Sequence, residues 1–199
     1  MERAVLAAAL AKLAGLWQDA GWAWVVGGST GLALRGAALG RPPRDLDVYA
    51  DAEAIPFLHE RLAAYALDGP APSRTDRYRS VLSHYDLGAA VAELVGGFRI
   101  EARQSVYTTE VAAVLHPQGD SADVGGQTVR LAPPAHELLF NLLRERTDRA
   151  LLAAELIRRQ PSRHVPTLRQ LLERNAISAE VAAEAWRLVQ EPPVREERP

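Results

Sequence analysis

The 199-residue sequence contains no cysteine, a single lysine (Lys12) and no long uninterrupted run of apolar residues. The absence of cysteine excludes disulfides, thiolate metal sites and a cysteine nucleophile, and nothing in the chain indicates an oxidising compartment. The near absence of lysine beside many arginines indicates a biased, GC-rich genome rather than a function. No segment is long or apolar enough to be predicted to cross a membrane.

Charge is also close to balance. The formal net charge is −2 at pH 7, so no strongly basic surface indicates nucleic acid, although a local basic groove is compatible with this value. Lys12 interrupts the first apolar stretch and no small-residue cleavage site follows it, so we expect no signal peptide and a cytoplasmic protein. The length allows one domain with a good core, or such a domain with a small helical annex.

The most informative stretch begins with a strand and a pair of glycines. Residues 22–26 have the aromatic and β-branched composition of a buried strand. Gly27 and Gly28 follow, and without a Cβ they allow the backbone to turn sharply and approach a ligand. On its own, a glycine pair after a strand is weak support for a phosphate site, because such pairs are common.

A helix is predicted directly after the glycines. Ser29 is expected to be its N-cap, residues 30–39 its body and Gly40 its end. The start of such a helix carries unpaired N–H groups and a partial positive charge, and both favour phosphate. The glycine turn is therefore predicted to bind phosphate.

Two acids follow at a spacing of two. Residues 45–49 are predicted to form a strand, so its period places Asp45 and Asp47 on one face. Facing carboxylates repel each other, whereas Mg²⁺ favours one or two carboxylates together with substrate phosphates. Two such ions would bridge the attacking and leaving oxygens of a phosphoryl displacement. The pattern predicts a nucleotidyl-transfer site that uses an NTP and Mg²⁺, two ions in all, with Mn²⁺ as an alternative.

Together, Gly27-Gly28-Ser29, a short helix and Asp45-Leu46-Asp47 resemble the signature of the polymerase-β-like nucleotidyltransferase superfamily. The resemblance is to its small bacterial members, which include drug-modifying nucleotidyltransferases and nucleotidyltransferase toxins and antitoxins. It implies an α/β (α+β) fold with a mixed β-sheet flanked by helices. It also implies that the Gly-Ser turn holds nucleotide phosphates and that the two aspartates bind metal. We assign the neighbouring Arg44 to nucleotide binding as well.

The resemblance also implies a third acid on a later strand. Residues 80–87 and 90–95 are predicted to be two strands of a hairpin, and Glu93 is an acid in the otherwise apolar second strand. Glu101 has the same parity but lies beyond the Gly96-Gly97 break. We favour Glu93 as the third metal ligand or as the general base. The family usually has Asp there, so direct coordination by the longer Glu93 is left open.

Two rival interpretations have less support. A dinucleotide-binding βαβ unit would use Asp47 to hold a ribose, but Gly27, Gly28 and Gly31 do not fit G-x-G-x-x-G in any register. The histidines lack metal-ligand spacing. Only His84 is expected near the cleft, and a structural role is favoured for it.

The flanking segments are predicted to be scaffold. Residues 5–17 have the apolar spacing of an amphipathic packing helix. Residues 68–79 are predicted to be an exposed loop beside the site, because they contain two prolines and several arginines. Arg74, Arg77 and Arg79 in this loop either contact phosphate or, as we favour, are solvated.

Helical periodicity begins after Pro133-Pro134. We therefore predict a nucleotidyltransferase core over 1–132, a C-terminal helical region over 133–190 with late helices at 165–174 and 178–189, and a flexible tail over 191–199. In the family that the chain resembles, the first part of this region carries a basic residue followed by Asp toward the nucleotide. Here Thr147 replaces the usual Lys. Arg146 or Arg149 either substitutes for it or, as we favour, forms a surface ion pair at i,i+3 or i,i+4.

The predicted reaction is transfer of NMP from an NTP to an acceptor hydroxyl with loss of pyrophosphate. The acceptor is left open between a small molecule such as an antibiotic, a protein side chain and a tRNA end. The alternative is a non-catalytic nucleotide-binding or toxin–antitoxin-type protein that retains the fold. A toxin–antitoxin partner and a homodimer are the macromolecular partners considered, and no membrane partner is expected.

Overall fold

A computed structural model of the chain describes residues 3–88 and 90–191. Eight strands in these residues form one mixed sheet, in the spatial order β3-β4-β5-β2-β1-β8-β7, with β6 paired to β5. This sheet confirms the predicted fold class. The strands are β1 Trp24–Val26, β2 Leu46–Ala50, β3 Ala71–Arg74, β4 Tyr78–Asp86, β5 Val91–Ala102, β6 Ser105–Thr108, β7 Asp120–Val124 and β8 Gln127–Leu131.

Helices cover both faces of the sheet, because alternate strand residues are buried in two separate apolar clusters. The first and third helices pack on one face, and the last four pack on the other. The helices are α1 Arg3–Leu16, α2 Gly28–Leu34, α3 Ile55–Leu62, α4 His116–Gln118, α5 Pro134–Leu143, α6 Thr147–Arg159, α7 Pro161–Arg174 and α8 Ala179–Gln190.

The N-terminal helix has the predicted amphipathic character. Leu6, Leu10 and Leu13 of α1 are buried at helical spacing, and the indole N–H of Trp17 donates to the carbonyl of Leu58 at 3.0 Å. These contacts attach α1 to α3 and confirm its role as a packing helix. Within the described residues, no helix has both the length and the hydrophobicity needed to cross a bilayer.

The position of β2 in the sheet determines where Asp47 lies relative to Glu93. It pairs with β1 in antiparallel orientation and with β5 in parallel orientation. The parallel register places Asp47 directly opposite Glu93. A dinucleotide-binding unit joins parallel strands through its glycine turn, so the antiparallel pairing of β1 with β2 excludes that rival interpretation.

The C-terminal helices share one apolar core with the sheet. Every residue of α5 is buried, because this helix packs against β5 on one side and against α6, α7 and α8 on the others. Helix formation after Pro133 is confirmed, although α7 begins at Pro161 rather than at residue 165. The division at 132/133 stays a prediction, and residues 192–199 of the predicted tail lie outside the described residues.

The helix predicted after Gly27-Gly28 begins and ends at residues other than those predicted. Gly27 is the N-cap of α2, with no side-chain capping bond, and Ser29 lies inside the helix rather than at its cap. The helix ends before Gly36, whose φ of 77° is the left-handed conformation that glycine adopts at low cost. Gly36 therefore ends the helix one turn before Gly40, so α2 is shorter than predicted.

Two further predictions about the sheet need correction. Residues 68–79 are not simply a loop, since β3 and the start of β4 pair there. Because β3 is an edge strand, Pro72 is tolerated without loss of a ladder bond. The predicted break at Gly96-Gly97 is a β-bulge rather than an end of the strand, because β5 continues to Ala102 while Gly97 has a φ of 55° and the register with β4 shifts there.

Candidate active site

A cleft of about 600 Å³ lies where α2, β2, β5 and the α5–α6 turn meet. Its polar lining is dominated by charged side chains, five acidic and five basic. The acids are Asp45, Asp47, Glu93, Glu137 and Asp148, and the bases are Arg41, Arg44, Arg144, Arg146 and Arg149.

The glycine turn packs directly against the acids. Gly28 has a φ of 59°, and a Cβ at this position would overlap the Asp47 carboxylate. A Cβ at Gly27 would overlap the Tyr49 ring and lie 3.0 Å from Glu137 Oε1. Only glycine satisfies both the left-handed conformation and the lack of space at Gly28. The structure thus brings the predicted turn and the second predicted aspartate into contact, and Ser29 lines the same cleft.

Three of the predicted acids converge in this cleft. Asp45 immediately precedes β2, Asp47 lies within it, and Glu93 is the β5 residue opposite Asp47. Burial, reinforced by the charges of Asp45 and Glu93, raises the pKa of Asp47 to about 7. Burial and Asp45 likewise raise the pKa of Glu93. The acids therefore face one another in a partly dry site.

Glu101 is not in the cleft. It lies eight residues beyond Glu93 along β5, where it accepts a hydrogen bond from Arg99 at 3.0 Å and pairs with Arg79 at 3.6 Å. Its hydrogen bond from Arg99 lowers its pKa. Of the two candidates for the third acid, only Glu93 lies with Asp45 and Asp47.

The chemistry of these donors fits a shared magnesium site. Carboxylate oxygens are the ligands that Mg²⁺ prefers, and it is usually held by one or two of them plus substrate phosphates. Among residues 3–88 and 90–191, no group of three or more His, Cys, Asp or Glu side chains is arranged to hold a metal alone. An ion bound by these carboxylates would need further oxygen ligands, which substrate phosphates would supply.

The α5–α6 turn supplies basic groups to the opposite wall. Arg146 donates to Asp148 at 3.1 Å, and Arg149 lies 3.7 Å from the same carboxylate. The favoured ion pairs therefore exist, but at i,i+2 and i,i+1 rather than at helical spacing. Arg149 Nη1 is buried without a hydrogen-bond partner. A buried donor of this kind is free to bind an anion.

Sequence reasoning missed the contribution of α5. Glu137 is only 2% exposed, and burial raises its pKa to about 8. Asn141 from the same helix and Arg144 at its C-cap also line the cleft. The available signal was a Glu and an Asn at i,i+4 within a helix that is otherwise mostly apolar.

No protein-family model matches the sequence, and no curated protein matches it significantly. Solved structures do match. TM1012 from Thermotoga maritima, provisionally named as a nucleotidyltransferase, superposes with a TM-score of 0.63 at 18% identity, over 81% of this chain and 96% of that one. The antibiotic-resistance factor ANT(2'')-Ia gives a TM-score of 0.51 at 13% identity, over 91% of this chain and 96% of its own.

This chain has the polymerase-β-like nucleotidyltransferase fold. The resemblance drawn from the glycine turn and the two aspartates is confirmed at that level. A second structure of ANT(2'')-Ia, in complex with adenylyl-2''-tobramycin, gives a TM-score of 0.50 at 14% identity, over 83% of this chain and 95% of that one.

His84, Arg77 and Arg79 are not among the residues that line the cleft of this nucleotidyltransferase fold. His84 is opposite Glu93 on β4, with Nε2 at 3.8 Å from Glu93 Oε1 and Nδ1 at 2.6 Å from Asp68. Arg77 is paired with Glu145 at 3.1 Å, and Arg79 with Glu101. Arg77 and Arg79 are therefore occupied by surface ion pairs, in keeping with the solvated role favoured for them.

Proposed function

We propose that this protein transfers an NMP group from an NTP to an acceptor hydroxyl and releases pyrophosphate. The observation that carries the proposal is the meeting of Asp45, Asp47 and Glu93 in one cleft, opposite arginines, on a nucleotidyltransferase fold. Acids that face one another with raised pKa values are costly in an empty site and are common where a cation and a phosphate bind.

Each group in the cleft has a distinct role in this proposal. The turn from Gly27 to Ser29 lies against the nucleotide phosphates, and Arg44 and the arginines of the α5–α6 turn bind their oxygens. Asp45, Asp47 and Glu93 would hold Mg²⁺ together with those phosphates. Bound there, the ion would supply charge neutralisation at the reacting phosphate and a lower pKa of the acceptor hydroxyl.

In the transfer, the acceptor oxygen attacks the α-phosphorus, and the bond from that phosphorus to the β-phosphate oxygen breaks. Pyrophosphate leaves with the bond electrons. Glu93 lines the cleft, with Oε1 at 3.8 Å from His84 Nε2, and it takes the acceptor proton as general base or completes the metal site. The arginines hold the leaving pyrophosphate.

The acceptor class is open among small molecules, proteins and tRNA. The complex of ANT(2'')-Ia contains an adenylyl group on tobramycin, so the same fold accommodates an adenylylated small molecule. That observation makes a small-molecule hydroxyl the first acceptor class to test, with an antibiotic as one example.

A second candidate function is nucleotide binding without turnover, as in a toxin–antitoxin-type protein. Three observations favour it. Glu93 stands where the family usually has Asp, and Thr147 stands where it usually has Lys. The third is that Glu137 occupies the Gly28 N–H at 2.7 Å, so one amide of the turn already has an acceptor.

Binding and turnover are tested separately. We expect Mg²⁺ and NTP together to raise the melting temperature more than either alone, because a ligand that binds the native state stabilises it. Incubation with each α-labelled NTP and a cell extract should then label one acceptor. Glu101→Gln serves as the matched control for Glu93→Gln. No thermal shift with any of the four nucleotides would contradict nucleotide binding, whereas a shift without labelling would favour the second candidate.

A further inference from the structure

Glu137 reaches from α5 to the glycine turn, 109 positions earlier in the chain. Its Oε1 accepts a hydrogen bond from the Gly28 N–H at 2.7 Å. The Asn141 side-chain amide donates to the backbone carbonyl of Glu137 at 2.8 Å, and this bond places the same nitrogen 3.5 Å from Glu137 Oε2. Every residue of α5 is buried, so the helix that carries the acid is fixed as well.

The opposite side of the turn is attached to the second aspartate. The Gly27 N–H donates to the Asp47 carbonyl at 2.9 Å, and Gly28 packs against the Asp47 carboxylate. The turn therefore lies between two acids that belong to different halves of the chain. A displacement of the turn on the Glu137 side would be passed directly to Asp47.

We propose that Glu137 is a positioning residue, which fixes the Gly27-Gly28 turn and, through it, the carboxylate of Asp47. This inference rests on the proposed function and adds a residue to it. A buried carboxyl group is unfavourable in an apolar helix unless it is hydrogen-bonded, and the Gly28 N–H supplies that bond. Asp at the same position would be one methylene shorter, so its oxygen would not reach the amide.

The test compares two replacements of similar size. Glu137→Gln keeps an oxygen acceptor at Oε1, whereas Glu137→Met keeps the length and loses the acceptor. Met is flexible and apolar, so it is suited to the buried position. Leu139→Met is the matched control, because it introduces the same residue elsewhere on α5, outside the cleft.

The first measurement is amide hydrogen exchange by NMR on the full chain without nucleotide. We expect Gly28 to exchange about tenfold faster in Glu137→Met, since one buried hydrogen bond is lost. Val114 is the internal reference, because its N–H donates to the backbone carbonyl of Glu110, outside the turn. Glu137→Gln and Leu139→Met should keep the wild-type rate at Gly28. Unchanged exchange at Gly28 in Glu137→Met would overturn the proposal, whether or not the protein catalyses transfer.

The second measurement is steady-state transfer. We expect kcat to fall about 10- to 100-fold in Glu137→Met, as displacement of a reacting group commonly does, with the KM for NTP little changed. Glu137→Gln should keep most of the wild-type kcat, because it keeps the oxygen acceptor. If the kcat of Glu137→Gln were as low as that of Glu137→Met, Glu137 would act through its proton or its charge. The proposal that it is a positioning residue would then be wrong. Tighter NTP binding by Glu137→Met would also overturn it, because the acid would then be a competitor of phosphate.

Discussion

Two clusters of charged side chains lie at the two ends of α2, and they differ in their balance of charge. At the first end, Asp47 faces Asp45 and Glu93 in the cleft. At the other end, the C-cap Arg35 binds Asp120 at 2.8 Å, and Arg163 donates to the same carboxylate. The first cluster brings acids together, whereas the second surrounds one acid with bases.

Burial acts on both acids in the same direction, but their neighbours reverse the outcome. The pKa of Asp47 is raised to about 7, because burial and two nearby acids all disfavour its charge. The pKa of Asp120 is lowered, because Arg35 and Arg163 together outweigh the effect of burial. An acid paired with bases stabilises the fold, whereas acids that face one another weaken the empty protein and are characteristic of a site that binds cations.

The largest effect is expected from Asp45→Asn combined with Asp47→Asn. Turnover should fall by at least about 1,000-fold, since metal binding contributes several kcal/mol to phosphoryl transfer. Stability in EDTA should be equal or higher, because two repelling charges are removed. The measurements are the rate of transfer and the urea midpoint. A clear drop in the midpoint would show that the pair is structural, and would favour the non-catalytic candidate.

The pH dependence of stability should show the same repulsion. The pKa of Asp47 rises from 3.8 in the unfolded chain to about 7 in the native protein. Its stabilising contribution is therefore complete below pH 3.8 and is lost as the pH rises through 7. The free energy of unfolding in EDTA should fall by about 4 kcal/mol over this window.

Asp47→Asn should remove that slope, so the wild-type and variant profiles are compared from pH 4 to 8. Glu137 contributes with the same sign, between its usual 4.5 and about 8, and it remains in both proteins. Parallel profiles would mean that Asp47 is ionised throughout the window and that the repulsion inferred here is absent.

Glu93 and Glu101 offer the same comparison within β5, because Glu93 lies with other acids whereas Glu101 is paired with arginines. Glu93→Gln should lower transfer by about 100-fold or more, as loss of a general base or metal ligand does. Glu101→Gln should change it by less than about threefold, because it removes only exposed ion pairs. The two rates are measured at saturating NTP after equal folding is verified by circular dichroism. The reverse order would move the catalytic acid along β5 to Glu101.

The smallest effect is expected from Asp120→Asn. It leaves Arg35, whose side chain is 8% exposed, without its carboxylate. Loss of one partner from a largely buried pair should lower the free energy of unfolding by about 2 kcal/mol, a value reduced for the partial exposure of Asp120. Chemical denaturation measures this change. Transfer per folded molecule should stay as in wild type, and an unchanged midpoint would show that the network adds no stability.

Local patterns were sufficient for much of the fold and for part of the site. The strand-turn-helix pattern at Gly27 and the spacing of Asp45 and Asp47 depend on neighbours in sequence, so they could be predicted. The parity of Glu93 was also informative. Parity in the sequence does not give the face of the sheet, however, because an extra residue in β5 between Gly96 and Arg99 reverses the alternation. Glu101 therefore lies on the opposite face from Glu93 and roughly 25 Å further along the strand.

Other features depend on packing between distant segments. Gly36 and Gly40 are equally able to end a helix, and only the tertiary structure shows that Gly36 ends α2. Glu137 gave a visible signal as an acid in a mostly apolar helix. Its partner at Gly28 was not predictable, because the contact depends on how α5 packs against the sheet.

The contact between Gly28 and Glu137 also constrains how this protein can be recombined with its relatives. A chimera joined at residue 132, between β8 and α5, would take the turn from one parent and the acid from the other. If the second parent carries an apolar residue at position 137, the Gly28 N–H loses its acceptor. The proposal then predicts a displaced glycine turn and a displaced Asp47 carboxylate. The glycine before α2 and the acid on α5 therefore form one unit of exchange, despite the 109 positions that separate them.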